Sequence, residues 1–204
     1  MEVLYLVVAI LVAYLLGSIP TSVWIGKIFY GIDVRDYGSG NAGTTNTFRV
    51  LGKKAGIPVF LIDVLKAYVA VNLVRFFPYL PNTPPYVNLQ LLFGIVAVIG
   101  HIFPIYVGFK GGKGVASLLG VTLAIVPIPA LLAFAVFGIV LLISHYVSLG
   151  SMVAGCSFPF FVFFVEQTSI LSLQIFSIVF AVLLLVTHRK NIIRLKNGEE
   201  SKIF

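Results

Sequence analysis

The sequence predicts an all-α polytopic membrane protein with seven transmembrane helices, its N-terminus outside and its C-terminus in the cytoplasm. Three observations carry this expectation. Of the 204 residues, 59% are hydrophobic and only 10% are charged, whereas soluble domains are about a quarter charged. Apolar runs recur along the chain, most of them near the ~20 residues that a helix needs to cross about 30 Å of hydrocarbon. The 14 Lys and Arg outnumber the 7 Asp and Glu, and the spans can be arranged so that 13 of those 14 fall on one side, the pattern of a cytoplasmic face.

Val3 to Gly26 is the first run. It lacks a basic leading segment and is too long for a secretory signal, so it reads as a span. Gly56 to Phe76 is the second, although it contains Asp63 and Lys66. The stretch PYLPNTPPYVN is a proline-rich connection to a third span, Leu89 to Val107. Val115 to Ser144 is too long for one upright crossing, at about 45 Å as a helix. Pro127 and Pro129 near its centre break it, giving two short spans that turn at VPIP. Met152 to Val165 and Ile170 to Val186 complete the set, separated by EQTS.

Charge decides the count. With two spans between 115 and 144, the segments 27–55 and 108–114 and the tail from 188 share one side, with Lys66 near it and only Arg75 opposite. With one span there, the tail changes sides and the asymmetry disappears. The formal charge of +7 is therefore a topology signal, and nucleic acid is not an expected partner. Cys156 stands in an apolar stretch as a small packing residue and forms no internal disulfide. No repeat divides the chain, which reads as one domain over 1–204.

Three polar segments on the cytoplasmic side carry the chemistry. The first is GSGNAGTTNTFR, Gly38 to Arg49. It contains Gly38-x-Gly40-x-x-Gly43, but a membrane helix precedes it, so it is not the dinucleotide fingerprint of a βαβ unit. Glycines let a backbone approach a ligand and turn its N–H groups toward an anion. Ser39, Asn41, Thr44, Thr45, Asn46 and Thr47 add short polar groups, and Arg49 adds a planar fork suited to phosphate. A flexible linker has no need of this mixture.

The second segment, GFKGGKGVA, fails the P-loop pattern because Val107 and Gly114 stand where Gly and Ser or Thr are needed. Lys110, Gly111, Gly112, Lys113 and Gly114 still form a cationic loop at a helix start, where phosphate is favoured. A plain positive-inside anchor does not need three glycines. The third, HRKNIIRLKNGE, begins like an ordinary basic tail. Helical spacing nevertheless puts His188, Asn191 and Leu195 on one face, which turns His188 and Asn191 toward one pocket.

Asp63 and Lys66, three apart, share a helix face and read equally as a structural ion pair or a substrate contact. His101 reads as structural and His145 as interfacial. Glu166 and Glu199 receive no role. No cluster of Cys, His and carboxylates has metal-ligand spacing, and no metal, cofactor or obligate protein partner is expected.

Together the segments GSGNAGTTN with Arg49 close behind, HxFPxxxxFKGGKGVA and HRxNIxRLxxGxE resemble the membrane-integral glycerol-3-phosphate acyltransferases that take acyl-phosphate as donor, the PlsY family. The likeness covers nearly the whole chain. It implies transfer of a fatty acyl group from acyl-phosphate to the 1-hydroxyl of glycerol 3-phosphate at a bacterial inner (plasma) membrane. The implied products are lysophosphatidic acid and inorganic phosphate, the first step of bacterial phospholipid synthesis. Ser39, Arg49, Lys113, His188 and Asn191 are then the expected catalytic residues. Gly40, Asn41, Gly43, Thr44, Thr45, Asn46, Lys110, Gly111, Gly112, Gly114 and Arg189 are the expected phosphate-binding residues. The HxxxxD motif of acyl-CoA-dependent acyltransferases is missing, because Tyr106, Gly150 and Ile193 stand five residues after the three histidines. The competing expectation is a transporter or flippase of phosphorylated anions, whose site belongs near the midplane between repeats.

Overall fold

The computed structural model describes residues 2–203, and among these no β-strand occurs. Ten α-helices follow one another. They are α1 (Glu2–Ser18), α2 (Thr21–Tyr30), α3 (Thr44–Leu51), α4 (Lys53–Val71), α5 (Pro84–Ile102), α6 (Val115–Ile125), α7 (Pro127–Ser144), α8 (Val147–Phe161), α9 (Leu171–Thr187) and α10 (Arg189–Lys196). A 3₁₀ turn (Asn72–Phe76) extends α4, and a π turn (Val162–Glu166) extends α8.

By length and composition, four of these helices, three of them together with the 3₁₀ or π turn that follows, are long and apolar enough to cross a membrane, or up to six if each bent pair counts as one span. The expected first span is one such pair. Pro20 lacks an N–H and ends α1, and α2 resumes at an angle of 44°. The last span bends by 57° into α10, where the apolar sequence gives way to HRKNIIRLK. The break expected at VPIP is present, since α6 ends at Ile125 and α7 begins at Pro127. However, α6 has 11 residues, about 16 Å at 1.5 Å per residue, so length alone does not make it a seventh crossing. The segment 27–55, expected to connect two spans as a loop, also differs from expectation, because it contains α3. Its TTNTFRVL sequence has poor helix propensity, but α3 packs along α4, which overrides local preference.

Residues up to Ile125 form one compact unit and those from Val126 a second. In the first, α1 and α4 lie against α5 and α6 lies against α4. Its core is small and aliphatic with one large ring: Ala13, Ala70, Val74, Leu89, Phe93 and Ala97. Leu4, Leu11, Leu61 and Leu65 point outward and are more than half exposed, as befits helices surrounded by lipid chains. In the second unit α8 packs between α7 and α9, with the Phe158 and Phe180 rings 5.0 Å apart. The C-terminal tail is tied to the end of α7 by Ile203 N–H donating to the His145 carbonyl at 3.0 Å.

Candidate active site

The first unit brings two of the three polar segments together. A Cβ placed on Gly43 would lie 3.9 Å from the Gly112 Cα, so the two glycine loops touch. A residue outside all three segments ties them. Arg35, in the 3₁₀ turn Val34–Asp36, donates to the Val107 carbonyl at 2.9 Å. Its other edge grips Asp33 through Nε at 3.0 Å and Nη2 at 2.7 Å, a bidentate pair. These bonds hold the Asp33 carboxyl well below the usual range, against the opposing effect of burial. Nothing in the sequence distinguishes DVRD from an exposed charged turn, so neither residue was expected.

Within the first loop, Asn46 is 2% exposed and knots the chain. Its Nδ2 donates to the Val34 and Tyr37 carbonyls at 2.8 and 3.1 Å, and its Oδ1 accepts from the Ser39 N–H and hydroxyl at 2.8 and 3.1 Å. The carboxamide expected to meet an anion is therefore occupied in holding Ser39 in place. Ser22 anchors the same loop by donating to the Ala42 carbonyl at 2.7 Å. The Thr47 hydroxyl, fully buried, donates to the Gly43 carbonyl. No side chain caps the N-terminus of α3 at Gly43, and the buried Thr44 hydroxyl has no hydrogen-bond partner. Ser39, Gly40 and Lys110 are exposed, while Asn41, Gly43, Thr45, Arg49 and Lys113 are half-buried.

The second loop departs from expectation in what its glycines do. The Gly111 N–H donates to the Ile102 carbonyl at 3.1 Å and the Gly112 N–H to the His101 carbonyl at 3.2 Å. Both amides cap carbonyls that α5 leaves unpaired at its C-terminus. The Gly40 N–H is likewise engaged, with the Tyr37 carbonyl at 3.1 Å. The doubled-back chain runs so close that a Cβ on Gly111 would overlap the His101 carbonyl oxygen, and one on Gly112 the His101 ring. Close approach to α5 requires glycine at both places. Gly114, at φ +83°, turns the chain into α6.

Beneath these loops is a buried polar cluster. Asp63 and Lys66 on α4 pair at 2.8 Å and are 1% and 5% exposed. Asp63 Oδ1 also accepts from the Thr21 hydroxyl at 3.0 Å, and Lys66 donates to the Ile19 carbonyl at 2.7 Å. Of the two readings the spacing left open, the geometry is that of an ion pair.

The third segment lies in the second unit. His188, 4% exposed, closes α9 with its Nδ1 2.9 Å from the Leu184 carbonyl. An accepting carbonyl requires the proton on Nδ1, which fixes the ring and gives the neutral form one tautomer. Asn191, on α10, donates to Glu200 Oε1 at 2.7 Å. Glu200 also accepts from the Ser148 hydroxyl at 2.9 Å and from Arg194 Nε at 2.8 Å. Burial opposes its ionisation, but the donors from Asn191, Ser148 and Arg194 outweigh it and hold the carboxyl below its ordinary range. Sequence reasoning passed over Glu200, although the Gly-x-Glu ending of the third segment was a signal. Its neighbour Glu199 is exposed, as is Arg189.

A family model described as glycerol-3-phosphate acyltransferase matches residues 7–198. A glycerol-3-phosphate acyltransferase of Enterococcus faecalis is 45% identical, and the alignment covers 97% of this chain and 92% of that protein. Two crystal structures of PlsY (YgiH), an integral membrane glycerol 3-phosphate acyltransferase, have the same fold. The glycerol 3-phosphate form gives a TM-score of 0.85 and the lysophosphatidic acid form 0.82. Each is 38% identical and covers 97% of this chain and 94% of the solved one. With the glycine loops, the buried pair and the His–Asn helix in place along a chain matched nearly end to end, this protein belongs to the glycerol-3-phosphate acyltransferase family.

Proposed function

We propose that the protein transfers a fatty acyl group from acyl-phosphate to the 1-hydroxyl of glycerol 3-phosphate, releasing lysophosphatidic acid and inorganic phosphate. The observation that carries this reading is the meeting of two glycine loops in one unit, with Arg49 and Lys113 half-buried beside them. Both substrates carry phosphate, and an acyl-phosphate is a mixed anhydride that needs no further activation. The hydroxyl oxygen attacks the acyl carbonyl carbon, the carbon–oxygen bond to phosphate breaks, and the hydroxyl proton ends on a substrate phosphate. The protein's part is to hold two anions together and to neutralise charge on the leaving phosphate. Arg49 and Lys113 bind phosphate, with Ser39, Thr45 and the open first turn of α3 in support. Lys110 and Arg189, both exposed, draw the anions in. His188 and Asn191 orient glycerol 3-phosphate through hydrogen bonds.

A charge-assisted contact to a buried anion contributes roughly 1.5–3 kcal/mol, so Arg49→Ala or Lys113→Ala lowers kcat/KM by about one to two decades. Arg49→Lys is nearly as damaging as Arg49→Ala, because an ammonium lacks the bidentate fork. Steady-state kinetics on the purified variants check both, and an Arg49→Lys enzyme of wild-type activity contradicts the proposed contact.

The one-sided distribution of the basic residues supports a reading in which this chemistry lies at the cytoplasmic face of a bacterial plasma membrane, with seven crossings and the C-terminus inside. In a Cys156→Ser background, Lys54→Cys and Ser201→Cys are expected to react with an impermeant maleimide only from the cytoplasmic side, and Asn82→Cys only from outside. Labelling of Ser201→Cys from outside contradicts this topology.

A further inference from the structure

The acyl transfer as derived makes no use of His101, which the sequence suggests is merely structural. The ring closes the last turn of α5 and is 6% exposed. At one end Nδ1 faces Asp63 Oδ1 at 3.7 Å. At the other end Nε2 meets Gly112, where a Cβ would overlap it. The same residue also accepts the Gly112 N–H on its carbonyl oxygen. His101 thus holds the turn twice, by backbone and by ring. The cavity beside it, lined in part by Ala42, Asp63, Lys66, His101 and Gly111, measures about 10 Å³. That is about the space of one water, too small for any part of a substrate, and both glycine loops contribute to its wall.

We propose that His101 is a positioning residue for acyl transfer: moored on the buried Asp63–Lys66 pair, its ring is the seat on which Gly112 rests, and it thereby sets where Lys113 stands. This rests on the reading of Lys110–Gly114 as part of the acyl-transfer site. Two neighbouring glycines separate the seat from packing in general. Neither Gly111 nor Gly112 has a positive φ, so space and not backbone angle excludes a side chain at each. The obstacle at Gly112 is the His101 ring, which a substitution can remove. At Gly111 it is the His101 carbonyl oxygen, which no substitution removes.

The test is a size exchange. Asn at position 101 keeps a polar atom where Nδ1 faces Asp63 but does not reach Gly112. His101→Asn and Gly112→Ala each lower kcat/KM, the latter by about tenfold, within the range that overpacking produces. The double variant His101→Asn/Gly112→Ala is expected to exceed Gly112→Ala, because the added methyl occupies the space the ring has left. Gly111→Ala is expected to gain nothing from His101→Asn. Where a single variant does not accumulate, the same comparison is read on the yield of monodisperse protein in detergent. A double variant at or below the product of the single losses overturns the proposal, and so does equal rescue of Gly111→Ala. Failure of the functional reading looks different, since the wild-type protein then transfers no acyl group from acyl-phosphate to glycerol 3-phosphate.

Discussion

Replacement of Asp63 by Ala is expected to cost more stability than any other single change described. Asp63 and Lys66 lie one turn apart on α4, their spacing fixed by the helix, and pair at 2.8 Å with almost no exposure. Without Asp63, the Lys66 ammonium keeps the Ile19 carbonyl but has lost its counter-charge within an apolar bundle. Breaking a buried pair by removing one partner costs about 3–5 kcal/mol. For a chain of this size that corresponds to a fall of roughly 6–20 °C in Tm. Removing both charges has a different outcome, because an apolar pair of similar volume is often neutral or stabilising. Asp63→Ala is therefore expected to aggregate on mild heating in detergent, and Asp63→Leu/Lys66→Met to recover most of the loss. Thermal unfolding followed by size-exclusion measures both. If Asp63→Ala melts like the wild type, the pair is not the mooring described above.

The second large effect concerns Glu200. Its carboxylate accepts from Ser148, Asn191 and Arg194 at 2.9, 2.7 and 2.8 Å. Hydrogen bonds to a charged group contribute about 1.5–3 kcal/mol each, and an abandoned buried donor carries its own penalty. Glu200→Ala leaves three donors at once, and a loss on the order of 3 kcal/mol is expected. Asn191 also loses the contact that orients it, so kcat is expected to fall in the protein that remains folded. Glu200→Gln keeps one acceptor oxygen and is expected to fall between. The same contacts give a pH dependence. The folded carboxyl titrates below its ordinary range, so its contribution is complete above that range and is lost as pH falls through the lower folded value. Wild type is expected to lose stability on acidification through that window, and Glu200→Gln to lose less. Unfolding curves of the two proteins against pH make the comparison. Parallel curves contradict it.

The helical membrane architecture was legible because lipid imposes one strong rule, a length of apolar residues per crossing. Pro20, Pro127 and Pro129 were visible as well, but only the second and third were read as breaks. The first stands inside an apolar run whose hydropathy does not change across it. The helix α3 was not legible, since TTNTFRVL is short, opens on Thr, Thr, Asn and Thr, all poor helix formers, and is helical through its packing on α4. Residue types singled out three unusual segments but did not show each residue's task. Asn46 looked like a ligand and is a knot, and the amides of Gly111 and Gly112 looked like anion donors and cap α5. Such assignments depend on which carbonyl lies within 3 Å, and spacing along the chain does not record that. Arg35 and Glu200 were missed for a related reason. A charged residue in a polar turn or tail looks solvated until its partners, dozens of residues away for Val107 and Ser148, are seen beside it.

The central claim is a reaction, and the most direct measurement follows both of its products together. Purified protein in detergent or proteoliposomes is supplied with acyl-phosphate and glycerol 3-phosphate while inorganic phosphate and lysophosphatidic acid are quantified over time. The expected result is one phosphate released per lysophosphatidic acid formed, no release without glycerol 3-phosphate, and undiminished turnover in EDTA. Comparable product from acyl-CoA, or phosphate release that does not depend on glycerol 3-phosphate, contradicts the account.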